Sequence, residues 1–169
     1  DGGRTFYHNG PVIQDGAEFS EERPLPGVIR GRNAAQIGDL GSTPIRIRTG
    51  EILMPLQITL LGPDGKLANP GGGYTYHDSA VLIGRWNAQE TLDWMLSARV
   101  VGDPKLSTRG MLEPTVIEAP DGRILMVMRG SNDAGGKKAG RRWHAISNDH
   151  GRTWTVPEPW GYAHGELFF

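Results

Sequence analysis

The chain has 169 residues, which is enough for roughly one domain with a hydrophobic core. Glycine and proline (25 and 12 residues) are about twice as frequent as usual, which disfavours a bundle of long helices because both residues weaken a helix interior. The net charge of −1 gives no overall basic field for nucleic acid, and no apolar run is long enough to span a membrane. The absence of cysteine excludes disulfides and cysteine-ligated zinc.

The first forty residues divide into two predicted regions. Residues 1–13 are predicted to include the outer strand of a preceding structural unit. Residues 14–40 combine acidic side chains with Pro24 and Pro26, a composition typical of an extended connecting loop. We therefore expect the regular part of the fold to begin near residue 41.

Two units of similar pattern follow, at residues 41–103 and 104–160. Each begins with two short apolar runs that flank a glycine-containing turn, which is typical of a β-hairpin, and each continues to a third and a fourth run. The predicted strands of the first unit are Ile45–Arg48, Ile52–Leu56, Ser79–Gly84 and a segment within Leu92–Val101. Those of the second unit are Thr115–Glu118, Ile124–Met128, Trp143–Ser147 and Thr153–Trp160.

The two units align with one another. Gly50–Met54 matches Gly122–Met126 at an offset of 72 residues, and both segments begin with the glycine of the predicted turn. A four-stranded unit of this size that recurs along a chain is typical of a β-propeller blade. A β-sandwich also has short strands and turns at regular intervals, so the periodicity alone leaves both architectures open.

The turn after the third strand of the second unit has the form S-x-D-x-G-x-T-W, at Ser147–Trp154. Asp149 can accept hydrogen bonds from the backbone ahead of it, and Gly151 provides the positive φ that a tight turn needs. Thr153 can bond back across the turn, while Trp154 fills the hairpin with a large aromatic ring. The motif resembles the Asp-box, or BNR repeat, of the sialidase (neuraminidase) superfamily, whose members are six-bladed β-propellers.

Two other turns resemble the same motif less completely. Asp1–Phe6 has the form D-x-G-x-T-F, without the leading serine, and is interpreted as the remnant of an Asp-box. The turn at Trp86–Trp94 contains Asp93-Trp94 but lacks the glycine and threonine, so the first unit is predicted to have a degenerate copy. The resemblance implies an all-β fold, namely part of a six-bladed β-propeller with four-stranded antiparallel blades.

This interpretation accounts for about two blades. Residues 41–103 form one blade and 104–160 the next, while 161–169 begin the connection to a further blade. Two blades cannot close a ring, and an open stack would expose unpaired strand edges. We therefore expect these residues to be an internal segment of a longer protein, or expect another chain to complete the ring.

Strand direction predicts where functional side chains can meet. In an antiparallel blade, the Asp-box turn and the turn at Asp121–Gly122 lie on one face. The start of the first strand and the end of the second lie on the other face, where Glu113 and Arg129 stand sixteen residues apart in sequence. Such a pair is either a structural ion pair or the polar part of a ligand site.

The segment Leu112–Arg129 resembles a sialidase segment in which a glutamate opens a strand and an arginine ends the hairpin. The resemblance implies that Glu113 partners a nucleophilic tyrosine and that Arg129 belongs to an arginine triad that binds the substrate carboxylate. It also implies exo-cleavage of a terminal acidic sugar with retention, without a metal or cofactor. The tyrosine, the acid/base aspartate and the other two arginines are not identifiable in this sequence.

The same geometry in the first unit selects five residues, Ser42, Thr43, Gln57, His77 and Asp78. Of these, Gln57, His77 and Asp78 are the candidate substrate-binding residues. The His77-Asp78 pair matches no sialidase motif, which leaves the substrate open. The alternatives are a same-fold enzyme with another carbohydrate substrate, such as another exo-glycosidase or a polysaccharide lyase, and a non-catalytic glycan-binding or scaffold propeller. A carbohydrate is the expected partner of the enzyme, and the resemblance favours a secreted or periplasmic protein.

Overall fold

The computed structural model describes residue 4 and residues 13–14, 17–18, 35–37, 42–58, 68–72, 76–130, 138 and 140–161. Every regular element in these ranges is a β-strand. In chain order the strands are β1 (Ile13–Gln14), β2 (Ala17–Glu18), β3 (Ala35–Ile37), β4 (Ile45–Arg46), β5 (Ile52–Ile58), β6 (Asp78–Trp86), β7 (Leu92–Leu96), β8 (Met111–Glu118), β9 (Ile124–Gly130), β10 (Arg141–Ser147) and β11 (Glu158–Pro159). Within the same ranges there is no helix long and apolar enough to cross a membrane.

The first sheet is built around three antiparallel strands, β5, β6 and β7, which pair in that order. On one side of β5, β4 pairs antiparallel with its N-terminal half and β3 with its C-terminal half. Together these two short strands take the place of a single strand. On the other side, β1 pairs in parallel with β7 and carries β2. Both β2 and β3 lie in the region interpreted from sequence as a loop, because strands of two and three residues are too short to show alternation.

The second sheet contains β8, β9, β10 and β11, which pair antiparallel in chain order. Its fourth strand is shorter than the predicted Thr153–Trp160 run, since only Glu158–Pro159 is regular. The Asp-box turn occupies the start of that run, and a proline cannot donate to a strand ladder. Thr155 N nevertheless donates to Ile146 O at 2.9 Å, so the segment still follows β10.

The predicted 72-residue repeat is present in the structure. Both β5 and β9 contain seven residues, and they begin 72 positions apart. The turns before them match as well: φ is +89° at Gly50 and +87° at Gly122, and the two amides donate to Ile47 O at 2.8 Å and to Ala119 O at 2.9 Å. The fold is therefore all-β with two mainly antiparallel sheets, and neither sheet closes on itself over the described ranges.

The two sheets share one hydrophobic core. The residues of β9 alternate between buried and partly buried, and Ile124, Met126 and Met128 are directed into this core. Leu53 and Val81 of the first sheet belong to the same cluster and are fully buried. Burial of each such side chain stabilises the fold by roughly 1.5–3 kcal/mol, so this core is the main connection between the sheets.

The first sheet is also buried on its other face. Leu56, Ile58, Ala80 and Leu82 form a second apolar cluster there. Consequently β6 is buried at seven consecutive positions, whereas the burial of β9 alternates. Successive residues of β6 therefore face different neighbours, and this determines where its polar side chains lie.

Candidate functional site

Glu113 and Arg129 contact one another at the end of the second sheet opposite the Asp-box. Arg129 Nη1 donates to Glu113 Oε1 at 2.6 Å, and both side chains are 26% exposed. The pairing of Leu112 with Arg129 across β8 and β9 is what brings the two residues together. The pair is therefore mostly shielded by protein but keeps some contact with solvent.

The backbone of Glu113 has an unusual conformation. Its φ is +48°, a left-handed value that a residue with a Cβ adopts only at a cost of roughly 1–3 kcal/mol. The strand pairing shifts between Leu112 and Thr115, so Glu113 lies in a β-bulge. This bulge turns the glutamate away from the regular alternation of β8 and towards Arg129.

Two side chains from the first unit stabilise this bulge. Glu113 N donates to Gln57 Oε1 at 2.9 Å, and Ser42 Oγ donates to Pro114 O at 2.9 Å. Gln57 is only 5% exposed, so its amide is a fixed part of the interface between the sheets. The structure thus brings Gln57 to the Glu113–Arg129 pair, where it contacts the glutamate backbone; its substrate-binding role stays a prediction.

His77 is buried beside the start of β8. Met111 N donates to His77 O at 2.8 Å, and His77 N donates to Arg109 O at 3.1 Å. Burial lowers the pKa of His77 to about 4, and the positive charge of Arg109 acts in the same direction. The imidazole is therefore neutral near pH 7, and at 3% exposure it lies beneath the surface rather than on it.

Asp78 faces the other side of β6 and is not brought to the Glu113–Arg129 pair. Its carboxylate Oδ2 accepts from Arg99 Nη1 at 2.7 Å, on the same face as the apolar side chains of Ala80 and Leu82. Burial raises the pKa of Asp78, although the Arg99 guanidinium opposes the shift. His77 and Asp78 were selected together from sequence, but the pleat separates their side chains.

The tyrosine that the described ranges contain is Tyr76, and it is poorly suited to act as a nucleophile. Its hydroxyl donates to Gly102 O at 2.7 Å. Burial, together with the negative charges of Asp78 and Asp103, raises the pKa of Tyr76 to about 12. A phenol that ionises this late needs more activation than an ordinary one. Over the described ranges, no group of three acidic or histidine side chains is arranged to hold a metal ion.

The Asp-box turn has the hydrogen bonds that its sequence predicts. Asp149 Oδ1 accepts from Thr153 N at 2.8 Å and from Ser147 Oγ at 2.7 Å, while Asp149 Oδ2 accepts from Thr153 Oγ1 at 2.6 Å. Burial acts to raise the pKa of Asp149, but these bonds outweigh it and hold the pKa at about 2. The carboxylate is therefore committed to the turn, at the end of β10 away from Glu113.

The same turn is attached to the first sheet. Arg152 Nη2 donates to Glu51 Oε1 at 2.7 Å, and Arg152 O accepts from Ala98 N at 2.8 Å. Glycine is required at position 151 by its φ of +87°, and a Cβ added there would stand in tight contact, at 3.3 Å, with the side chain of Leu53. Trp154 Nε1 completes the attachment with a bond to Ser97 Oγ at 3.3 Å.

The turn at Trp86–Trp94, predicted to be a degenerate copy of the Asp-box, has hydrogen bonds between Asn87 and Thr91. Asn87 Oδ1 accepts from Thr91 N at 3.1 Å and from Thr91 Oγ1 at 3.0 Å, as Asp149 does from Thr153. Asn87 and Thr91 therefore stand four residues apart, as Asp149 and Thr153 do. The signal that could have revealed this is the four-residue spacing between the acceptor and the threonine, which both turns share.

Neither a protein-family model nor a curated protein matches the chain significantly. A solved structure from Dyadobacter fermentans, described as a protein of unknown function, is similar over 70% of this chain, with 22% sequence identity and a TM-score of 0.49. The similarity covers 27% of that protein, so this chain spans well under two thirds of the length of its structural neighbour.

Proposed function

We propose that this chain is part of a sialidase-like glycoside hydrolase with a propeller fold, and that Glu113 and Arg129 lie in its carbohydrate site. The observation that carries the proposal is the 2.6 Å contact between these two partly exposed side chains. A purely structural ion pair would not need its carboxylate on left-handed backbone, held by a buried glutamine from the neighbouring sheet. A ligand site does need such backbone and support, because its carboxylate must point in one direction.

Arg129 has the chemistry to bind an acidic sugar. A guanidinium is planar and offers five N–H donors in a fixed geometry, which suits two parallel hydrogen bonds to a substrate carboxylate. Its charge is permanent, and the nearby protein excludes part of the water that would screen it. We assign Arg129 the recognition of the sugar carboxylate.

Glu113 is assigned the role of proton acceptor for a tyrosine nucleophile that lies outside the described ranges. A phenol has an ordinary pKa near 10, so it attacks efficiently at neutral pH only when a base takes its proton. The bond from Arg129 and the bulge in β8 together fix the position of the Glu113 carboxylate. The surrounding groups therefore need to move less when the tyrosine proton passes to Glu113.

The proposed reaction is hydrolysis with retention in two displacements. The tyrosine oxygen attacks the anomeric carbon while its proton passes to Glu113, and a general acid protonates the departing oxygen. Water then attacks the anomeric carbon and gives a proton to the conjugate base of the general acid, while the bond to tyrosine breaks and the phenolate regains the proton from Glu113. The general acid, like the tyrosine, is expected outside the described ranges.

The test is turnover of a fluorogenic N-acetylneuraminic acid glycoside by the intact protein. We expect Glu113→Gln to lower kcat by about a hundredfold or more, because the amide keeps the size but cannot accept the proton. Asp121→Asn is the matched control: it removes the carboxylate of another short pair, Arg123 Nε to Asp121 Oδ2 at 2.7 Å, on the Asp-box side. This control should turn over at the wild-type rate.

Other outcomes separate the alternatives. Unchanged turnover in Glu113→Gln would remove the residue from the mechanism. A protein that ignores sialosides but cleaves another terminal sugar would be a same-fold enzyme with a different substrate. If no glycoside is cleaved and N-acetylneuraminate still binds, less tightly in Arg129→Lys than in wild type, the domain binds glycans without catalysis.

A further inference from the structure

A polar depression lies on the Asp-box side of the molecule, at the opposite end of the strands from Glu113. It is a shallow depression of about 640 Å³ that is largely open to solvent. We call it the Asp-box-side cavity. The side chains that matter for its chemistry are Arg46, Glu51, Arg85, Trp86 and Arg152.

The cavity carries an excess of positive charge. Three guanidinium groups line it, against the single carboxylate of Glu51. Glu51 Oε1 accepts from Arg85 Nε at 2.6 Å and from Arg152 Nη2 at 2.7 Å. Burial acts to raise the pKa of Glu51, but the bonds from Arg85, Arg152 and Thr49 outweigh it, so the pKa lies below its usual value. The carboxylate therefore stays charged and orients two of the three cations.

The third cation has no protein partner over the described ranges. The guanidinium of Arg46 lines the cavity without a hydrogen bond or an ion pair to any residue in those ranges. Asp93, which lies across the strand pair from Arg85, accepts from Asn87 Nδ2 at 3.0 Å and does not line the cavity. Arg46 and the remaining donors of Arg85 are thus available to an anion.

An exposed aromatic ring borders these cations. Trp86 is 56% exposed at the end of β6 and forms part of the same wall. An indole offers a flat apolar face with one N–H donor at its edge, which suits a ligand with one apolar and one polar side. The C–H face of a sugar ring is such a surface.

We propose that the Asp-box-side cavity binds an acidic saccharide, that is, a sugar ring carrying a sulfate or carboxylate group. Arg46 and Arg85 bind the anionic group, and Trp86 packs against the ring. A nucleic acid would need a wider basic surface, whereas here the chain as a whole has a net charge of −1 and the positive charge is confined to one cavity. The inference does not depend on the proposed function, because it uses none of the residues near Glu113.

Isothermal titration of the intact protein tests this inference, with a sulfated heparin disaccharide and digalacturonate as acidic probes. Cellobiose and inorganic sulfate are the neutral and sugar-free probes. We expect at least one acidic disaccharide to bind, and Arg46→Gln and Trp86→Ala each to weaken that binding about tenfold. Both positions are exposed, so the variants should fold. Arg123→Gln removes an exposed charge outside the cavity and should bind as wild type does.

The outcomes that overturn the inference are distinct from those that overturn the hydrolase. Equal affinity for cellobiose would show that the anionic group is not recognised. Binding of inorganic sulfate as tight as that of the disaccharide, unaffected by Trp86→Ala, would reduce the site to an anion site. If Arg129→Lys lost binding and Arg46→Gln kept it, the saccharide would instead bind near Glu113 and Arg129. Glu113→Gln should leave the titration unchanged whatever its effect on turnover.

Discussion

The two sheets carry the same hairpin but different side chains at its end. Position 57 in β5 and position 129 in β9 are equivalent in the 72-residue repeat, and they hold a glutamine and an arginine. Both contact Glu113: Gln57 accepts from its backbone amide, and Arg129 donates to its carboxylate. One copy of the hairpin therefore stabilises the glutamate, and the other provides the charge that a substrate would meet.

The comparison shows how a repeat can specialise without a change of backbone. An amide at position 57 satisfies a buried N–H and adds no charge to the interface between the sheets. A guanidinium at position 129 lies at a more exposed place, where its charge costs less to keep and can be used. Substitutions that exchange or remove these side chains test whether positions 57 and 129 have different roles.

The largest effect is expected when the second unit is given the residue of the first. Arg129→Gln should weaken binding of an N-acetylneuraminate analogue about a hundredfold, or about 3 kcal/mol, because the bidentate pair is lost. Titration of the analogue measures this, with Arg123→Gln as the control for overall charge. Wild-type affinity in Arg129→Gln would show that no carboxylate is held at this position.

The turns at Asp149 and Asn87 should differ in their contribution to stability. Asp149→Ala should lower the free energy of unfolding by about 2–3 kcal/mol and Asn87→Ala by about 1 kcal/mol, since hydrogen bonds to a charged acceptor are stronger. Urea denaturation measures both. Turnover per folded molecule should be unchanged in Asp149→Ala, because the turn lies at the end of the sheet away from Glu113. Equal losses of stability in the two variants would contradict the distinction.

Removal of the Gln57 amide should affect both stability and turnover. Gln57→Ala leaves the amide of Glu113 without its acceptor, so we expect a loss of about 1–2 kcal/mol in unfolding free energy and about a tenfold drop in kcat. Met54→Ala is the control, because Met54 lies on the same strand but packs on the other face. It should cost stability and leave kcat unaffected; a parallel drop in kcat would mean that Gln57 does not position Glu113.

The last prediction concerns the pH dependence of stability. The pKa of His77 is about 4 in the fold, below its unfolded value of about 6.5, so the unfolded chain binds more protons between these values. Stability should therefore fall as the pH decreases from 6.5 towards 4. In His77→Gln this decline should be shallower than in wild type when unfolding is followed in urea at a series of pH values. An identical decline would assign it to other groups.

Local signals in the sequence were sufficient for much of the fold. The turn glycines at positions 50 and 122, the apolar runs beside them and the Asp-box motif each depend on a few neighbouring residues. The meeting of Glu113 with Arg129 also followed from strand direction alone. These features are set by hydrogen bonding within one hairpin, so a single sequence contains the information.

Features that depend on packing between the sheets were not predictable in the same way. Nothing in Glu113-Pro114 indicates a left-handed glutamate, and the contact with Gln57 exists only because the sheets pack in one register. The separation of His77 from Asp78 is different, since consecutive strand residues always face opposite sides. That information was in the sequence, once the strand was recognised to begin at Asp78.

The attachment of the Asp-box turn to the first sheet has a consequence for how such a chain can vary. The turn follows β10 in the second sheet, yet its arginine and tryptophan bond to Glu51 and Ser97 of the first unit, and its glycine lies close to Leu53. Each repeat of this kind therefore has an interface that is specific to its neighbour. If one copy were gained or lost, two new sheets would become neighbours. Their packing would be stable only if the turn of one carried side chains that match those of the other.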